Sequence, residues 1–216
     1  MKQNRKDKKS KVFRHPLVGL PALQFETIPN DFTPPDEDGC FALWDKYEMF
    51  DNIRAHSMRV AEIAVFLAKK ANECGLLVNI PTVRAAALLH DIAKTYTVKH
   101  GGSHAQLGAS WLLQETGNYT LARAVMVHVY WPWKLPEDYR ICTVPFFIIY
   151  ADKRVRHDQV VSIEDRYEDL LKRYGKTPQA CSSIKKSHEQ GLRLEKLISL
   201  QLGMDLSQLS VEVSGL

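Results

Sequence analysis

Apolar residues recur at spacings of three and four from residue 40 onward, which is the periodicity of helices that bury one face. The clearest case is residues 51–74, whose apolar stripe also contains His56. The pattern predicts helices at residues 40–50, 51–74, 82–94, 103–115, 119–130, 143–156, 163–174 and 177–202. No segment shows convincing alternation with a period of two residues, so the predicted fold class is all-α.

The N-terminal region lacks this periodicity. Residues 1–14 hold seven basic side chains and one acidic one, and residues 15–39 hold five prolines. We therefore expect a basic disordered tail and a Pro-rich extended arm over residues 1–39. A helical domain follows at residues 40–160, and residues 161–216 supply C-terminal helices packed on the same domain.

The composition is that of an ordinary globular protein, since 45% of the 216 residues are hydrophobic and 25% are charged. The longest apolar run, at residues 141–151, is much shorter than the roughly 20 residues that a membrane-spanning helix needs. No apolar stretch follows the basic N-terminus as it would in a secretory signal. These features predict a cytoplasmic protein that is not embedded in a membrane.

Charge and cysteine content narrow the classes of function further. The formal net charge is +4, but the chain beyond residue 14 carries a net charge of −2. A nucleic-acid-binding protein is therefore disfavoured, although the tail could touch RNA or membrane phosphates. The four cysteines are far apart in the chain, which argues against a zinc finger or a redox dithiol and favours reduced, buried thiols.

Potential metal ligands interrupt or flank the apolar runs of five predicted helices. They are His56, His90, Asp91, His104, His128 and Asp152. One histidine on an apolar face is usually a hydrogen-bonded core residue, but imidazoles and carboxylates converging from five helices favour a Zn, Mn or Fe site. Asp91 could bridge two ions through its two oxygens. His100 competes with His104 as a ligand.

Three short segments carry four of these residues. They are Ala55-His-Ser-Met-Arg-Val-Ala61, Leu88-Leu-His-Asp-Ile-Ala-Lys94 and Ile149-Tyr-Ala-Asp-Lys153. They resemble the motifs of the HD-domain superfamily of metal-dependent phosphohydrolases, over about residues 50–156. The matching metal ligands of that family are His56, His90, Asp91 and Asp152. The additional His104 and His128 are similar to the six-ligand, two-metal version, which includes bacterial symmetrical diadenosine tetraphosphate hydrolases.

The resemblance implies an HD-domain helical bundle that cleaves a phosphate ester or anhydride by means of a metal-activated hydroxide. The implied cofactor is two divalent ions, with Fe or Mn favoured over others. The implied partner is a small phosphorylated substrate, and a nucleotide is favoured. A di-iron oxygenase on the same scaffold and a non-catalytic sensor module are the alternatives, and the filled ligand positions disfavour the second.

Cationic and aromatic residues near the predicted ligands are candidates for catalysis or for binding the substrate. Lys94 lies one turn after Asp91, where the family also has a functional lysine, and Arg59 lies one turn after His56. We assign catalytic roles to Asp91, Lys94 and Arg59. The alternative is an ordinary helix-end cation for Lys94 and a surface ion pair for Arg59.

Substrate binding is expected from three residues. They are Lys94, Arg154 and Trp131. Arg154 follows the predicted ligand Asp152 at the end of an apolar run, and its alternative role is a surface ion pair. Trp131 follows His128, where it could stack on a base, and its alternative role is simple packing.

Overall fold

A computed structural model describes residues 33–209 of the protein. The predicted basic tail and the arm before residue 33 lie outside the described residues, as do residues 210–216. The first helix begins at Glu37, inside the stretch predicted to be extended. It begins there because the Asp36 carboxylate accepts a hydrogen bond from the Gly39 N–H and so caps the helix.

The described chain is a succession of helices with one short hairpin. The elements are α1 (Glu37–Lys46), α2 (Asp51–Glu73), α3 (Ile80–Leu89), α4 (Lys94–His100), α5 (His104–Thr116), α6 (Tyr119–Val127), a 3₁₀ helix (Tyr139–Ile141), α7 (Val144–Asp152), β1 (Val155–Arg156), β2 (Gln159–Val160), α8 (Ile163–Tyr174), α9 (Pro178–Leu202) and a 3₁₀ helix (Leu206–Gln208). The prediction of an all-α fold is confirmed. The exception within residues 33–209 is the antiparallel pair β1–β2.

The core is built around α2, which packs along α3 and α7. The apolar stripe predicted for α2 is buried, and Val60, Ile63 and Leu67 have no exposed surface. Helix α7 is buried from residue 146 to residue 151 because its sequence is apolar on every face. Helices α5 and α6 pack against each other, and α6 also contacts α3 and α7. Helix α9 contacts α7 and packs against α8.

The helix predicted at residues 82–94 ends at Leu89, and a turn at residues 90–93 separates it from the next helix. The following helix, α4, occupies a stretch for which the sequence predicts a loop. Within the turn, the Lys94 N–H bonds to the Asp91 carbonyl three residues back, and His90 Nδ1 donates to a carbonyl of α3. No glycine or proline marks this turn, so the apolar pattern continues through it without a signal.

Two further helices end earlier than predicted. Helix α6 ends at Val127 and not at residue 130, and α7 ends at Asp152 and not at residue 156. After α7 the chain leaves the helical path because the Val161 N–H bonds to the Arg154 carbonyl and β1 pairs with β2. His128 and Asp152 therefore lie at helix ends.

Arg154 is buried beneath the C-terminal part of the described chain, with 2% of its surface exposed. Its guanidinium donates hydrogen bonds to the backbone carbonyls of Val161, Leu206 and Leu209 and lies 3.3 Å from a carboxylate oxygen of Glu195. These bonds tie the end of the hairpin to α9 and to the residues after it. The guanidinium is committed to protein groups, which corrects the expectation that it binds a substrate phosphate.

Within residues 33–209, no helix combines the length and the apolar composition that crossing a lipid bilayer requires.

Candidate metal centre

The fold brings the six predicted ligands together because five helices present one end or one face to the same cavity. His56 lies on the buried face of α2, and His104 is the first residue of α5. The remaining four residues follow or end a helix. They are His90 and Asp91 after α3, His128 after α6, and Asp152 at the end of α7. A side chain at a helix end is not restricted to one lateral face of the helix, so it can extend into the space between elements.

Asp91 occupies the middle of the group, and its two carboxylate oxygens face different histidines. Oδ2 lies 3.4 Å from Nε2 of His90 and 4.0 Å from Nε2 of His56. Oδ1 lies 3.4 Å from Nε2 of His104 and 3.7 Å from Nε2 of His128. The two imidazoles on the second side are adjacent, with 3.2 Å between their Nε2 atoms. One carboxylate thus separates two pairs of imidazoles.

Asp152 completes the first of these two sets. Its Oδ1 lies 3.0 Å from Nε2 of His56 and 3.9 Å from Nε2 of His90. Potential ligand atoms of these three residues lie within 4.8 Å of one another, as do those of His90, Asp91 and His128. His90 belongs to both sets, and Asp91 is itself a member of the second.

Three of the four imidazoles are held in the orientation that metal binding requires. Each Nδ1 lies at hydrogen-bond distance from a backbone carbonyl oxygen. The pairs are His56 with His157 at 2.8 Å, His90 with Ala87 at 2.7 Å and His128 with Val125 at 2.7 Å. A carbonyl oxygen can only accept, so in each neutral imidazole Nδ1 carries the proton and Nε2 presents its lone pair.

Burial and charge favour the protonation states of metal ligands. Burial lowers the pKa of His104 to about 4, although Asp91 acts to raise it. The low pKa keeps this imidazole neutral near pH 7. For the Asp91 carboxyl, burial acts to raise the pKa, but Lys94 and His90 together hold it well below its usual value. The pKa of Asp152 is also well below its usual value, because His56 and Arg166 outweigh burial, which acts to raise it.

Two buried atoms of the group have no hydrogen-bond partner among the described residues. They are Nε2 of His90 and Oδ1 of Asp91. A buried polar atom without a partner costs about 1–3 kcal/mol. Both atoms are lone-pair donors aimed into the group, so a bound cation would satisfy them. The donor set of imidazole nitrogens and carboxylate oxygens therefore fits a divalent metal ion of the first transition row.

A cavity of about 610 Å³ opens above the group. Lys94 lines it, with Nζ 2.6 Å from Oδ2 of Asp91. Burial acts to lower the pKa of Lys94, but Asp91 raises it overall, so the side chain is a cation. Two further basic side chains of the cavity wall are buried, Lys153 at 3% exposure and Arg166 at 8%.

The structure does not bring the other predicted substrate residues to this cavity. Arg59 lies outside its lining and bonds to the Asp158 carbonyl and to Glu62. Trp131 packs against Trp133 and Phe146 and lines a different cavity, so its predicted contact with the substrate at the metal centre is replaced by packing. Arg154 is the internal anchor described above.

Of the two competing histidines, His104 lies in the group and His100 does not. His100 is exposed at the end of α4, with its ring 4.5 Å from that of Tyr96.

Two contributions to the centre are not among the residues predicted from the sequence, and they come from Arg166 and from the His157 carbonyl. Arg166 lies on α8 between Ile163 and Tyr167, both buried, and that position in an apolar stripe was the available signal. His157 lies in a charged segment typical of exposed surface. Its backbone adopts a φ of 58°, and its carbonyl reaches His56 only through the β1–β2 hairpin.

Comparison with known proteins identifies one family. The profile of the family described as HD domain matches residues 53–170, more than half of the chain. No solved structure matches the chain.

Three curated relatives share parts of the sequence. A tRNA (cytidine(56)-2'-O)-methyltransferase of Thermoplasma volcanium is 29% identical over 185 residues, which are 81% of this chain and 50% of that protein. A ribonuclease Y of Fervidobacterium nodosum is 38% identical over 77 residues, 36% of this chain and 14% of that protein. An uncharacterized protein of Methanocaldococcus jannaschii is 29% identical over 140 residues, 58% of this chain and 79% of that protein. The chain thus spans half the length of the methyltransferase and a small part of the ribonuclease.

Proposed function

Since the chain belongs to the HD domain family, we propose that it is a metal-dependent phosphohydrolase that acts on a nucleotide or a similar small phosphorylated molecule. The proposal includes two divalent ions, with Fe or Mn favoured. Because the six candidate ligands resemble those of diadenosine tetraphosphate hydrolases, dinucleoside polyphosphates are the first substrate class proposed.

The observation that carries this proposal is the position of Asp91 between two pairs of imidazoles. A carboxylate that presents one oxygen to each of two donor sets is the arrangement that a pair of ions needs. The first set would consist of His56, His90 and Asp152 with Oδ2 of Asp91. The second would consist of His104 and His128 with Oδ1. A site for one ion would leave the second pair of imidazoles without a function.

Bound divalent ions would supply Lewis acidity for activating a water and for stabilising negative charge on a phosphoryl group. The chain itself contributes charge and orientation. Lys94 donates to Oδ2 of Asp91 and also faces the cavity, so it can hold that carboxylate in place and contact a phosphate oxygen. The carbonyls bonded to the histidine Nδ1 atoms fix the direction of each Nε2.

Metal stoichiometry is the first experiment. The full chain is purified without chelator or is reconstituted with Mn²⁺, and its metal content is measured by elemental analysis. We expect close to two ions per chain in the parent and close to one in His104→Ala. His100→Ala is the matched control and should retain two. One ion in both the parent and His104→Ala would refute the two-ion centre.

Hydrolysis is then measured with Mn²⁺ or Fe²⁺ on dinucleoside polyphosphates first, and on nucleoside mono-, di- and triphosphates after them. We expect phosphate or nucleotide release that His56→Ala and Asp91→Ala abolish. The panel includes a short RNA because two relatives are named for action on RNA. Cleavage of RNA without cleavage of small molecules would contradict the proposed substrate class. Oxygen consumption without phosphate release would contradict hydrolysis.

A further inference from the structure

Two buried cations line the cavity, and neither donates a hydrogen bond to a carboxylate among the described residues. The Arg166 guanidinium lies 4.0 Å from Oδ1 of Asp152 and 3.6 Å from Oδ2 of Asp169, which is too far for hydrogen bonds. Its Nε is buried and has no hydrogen-bond partner among the described residues. The Lys153 ammonium has one hydrogen bond there, to the Val129 carbonyl at 3.1 Å.

The carboxylates nearest to these cations have other partners. Asp152 has a carboxylate oxygen 3.0 Å from Nε2 of His56 and belongs to the proposed metal centre. Asp169 pairs with Arg173 one turn along α8. Each carboxylate near the Arg166 guanidinium is therefore shared with another side chain, Asp152 with His56 and Asp169 with Arg173. Arg166 lines the cavity, and its two terminal nitrogens lie beyond hydrogen-bond distance of both carboxylates, so they are suited to a planar or tetrahedral oxyanion.

The packing of α9 confines Lys153 and also the helix that carries Arg166. Gly191 on α9 lies against Lys153, and a Cβ at that glycine would lie 3.1 Å from Cδ of the lysine. Tyr167, next to Arg166 on α8, donates to or accepts from Ser187 of α9 at 2.7 Å and stacks on His188. Lys153 and the part of α8 next to Arg166 are therefore held in place on the wall of the same cavity.

We propose that Arg166 and Lys153 form a phosphate-binding subsite next to the metal centre, which holds a phosphoryl group of the substrate. This proposal rests on the proposed function. The 4.0 Å separation between Arg166 and Asp152 places the subsite beside the donor set of His56, His90 and Asp152. An oxyanion bound there would accept hydrogen bonds from the terminal N–H groups of Arg166 and from the Lys153 ammonium.

The test is calorimetric titration of the Mn²⁺-loaded full chain with inorganic phosphate. The variants are Arg166→Met and Lys153→Met. Arg84→Met, which removes one positive charge from an exposed pair with Glu37, is the control. We expect each of the two subsite variants to bind phosphate at least about tenfold more weakly than the parent, because each loses a charge-assisted hydrogen bond. The control should stay within twofold of the parent.

Manganese content and circular dichroism of each variant separate a lost subsite from a damaged centre. If Arg166→Met does not fold, Arg166→Lys replaces it, and we expect a loss of severalfold because the ammonium lacks the guanidinium fork. Phosphate affinity equal to that of the parent in a folded, manganese-loaded Arg166 variant would overturn the subsite. Loss of manganese in Arg166→Met would overturn it also, since Arg166 would then position Asp152. A parent that binds no manganese would instead refute the proposed function.

Discussion

The buried position of Arg154 leads to a prediction about stability and not about activity. The substitution Arg154→Met keeps most of the side-chain volume and removes the guanidinium. The carbonyls of Val161 and Leu209 would then lose their bonds to it, and Glu195 would lose its ion pair. The Tyr150 hydroxyl lies at hydrogen-bond distance from both Glu195 and the Leu206 carbonyl and can donate its one proton to either of them, which limits the damage there.

The magnitude follows from these groups. Each buried carbonyl left without a donor costs about 1–3 kcal/mol, and breaking a buried ion pair by removing one partner costs about 3–5 kcal/mol. Because Tyr150 still satisfies part of the site, we expect the free energy of unfolding to fall by about 3–5 kcal/mol in total. That loss corresponds to a decrease in Tm on the order of 10 °C for a domain of this size.

Urea unfolding followed by circular dichroism measures this change in the Mn²⁺-loaded full chain. Arg156→Met is the matched control, since Arg156 is half-buried on β1 and has no side-chain hydrogen bond or ion pair among the described residues. The control should change stability by less than about 1 kcal/mol. Metal content should equal that of the parent in both variants. A loss below about 1 kcal/mol in Arg154→Met would refute the anchoring role, and a loss of substrate binding at unchanged stability would restore the role predicted from the sequence.

Three further predictions concern the metal centre and the cysteines. Asp91→Asn should hold at most one ion per chain by elemental analysis, because a neutral amide binds a cation poorly through its nitrogen end; two retained ions would contradict bridging by this residue. His100→Ala should hydrolyse substrate at the rate of the parent, since its ring is exposed on α4, and a large decrease in rate would return His100 to the ligand set. Burial raises the pKa of Cys40 to about 12 and that of Cys142 to about 11, so both stay protonated thiols at pH 8, and iodoacetamide should label the exposed Cys74 first by mass spectrometry. Early labelling of Cys40 would contradict the described packing.

Much of the fold could be predicted because helix periodicity and caps are local. Helix α8 begins and ends where the pattern predicts, at Ile163 and Tyr174. The apolar stripe of α2 is buried as expected. The turn at residues 90–93 could not be predicted, since the apolar residues on both of its sides are buried and burial alone does not distinguish a turn from a helix.

The candidate ligands could be nominated from the sequence for a related reason. An ionisable residue inside an apolar run must find a partner when it is buried, so the positions of His56 and His90 already implied a polar cluster. The competition between His100 and His104 could not be resolved from their spacing. It depends on the direction in which α4 leaves the turn after Asp91.

The sequence by itself determined an all-helical chain and the six residues suited to a metal centre, because each of those properties follows from the chemistry of a short segment. The tertiary structure alone decided which side chains share a cavity. Arg154 and Arg166 both belong to charged segments near the end of the same family match. The Arg154 guanidinium donates hydrogen bonds to backbone carbonyls. Arg166 lines the cavity, and its Nε has no hydrogen-bond partner among the described residues. That difference arises from how α9 packs against α7 and how α8 packs against α9, which involves contacts between segments far apart in the chain.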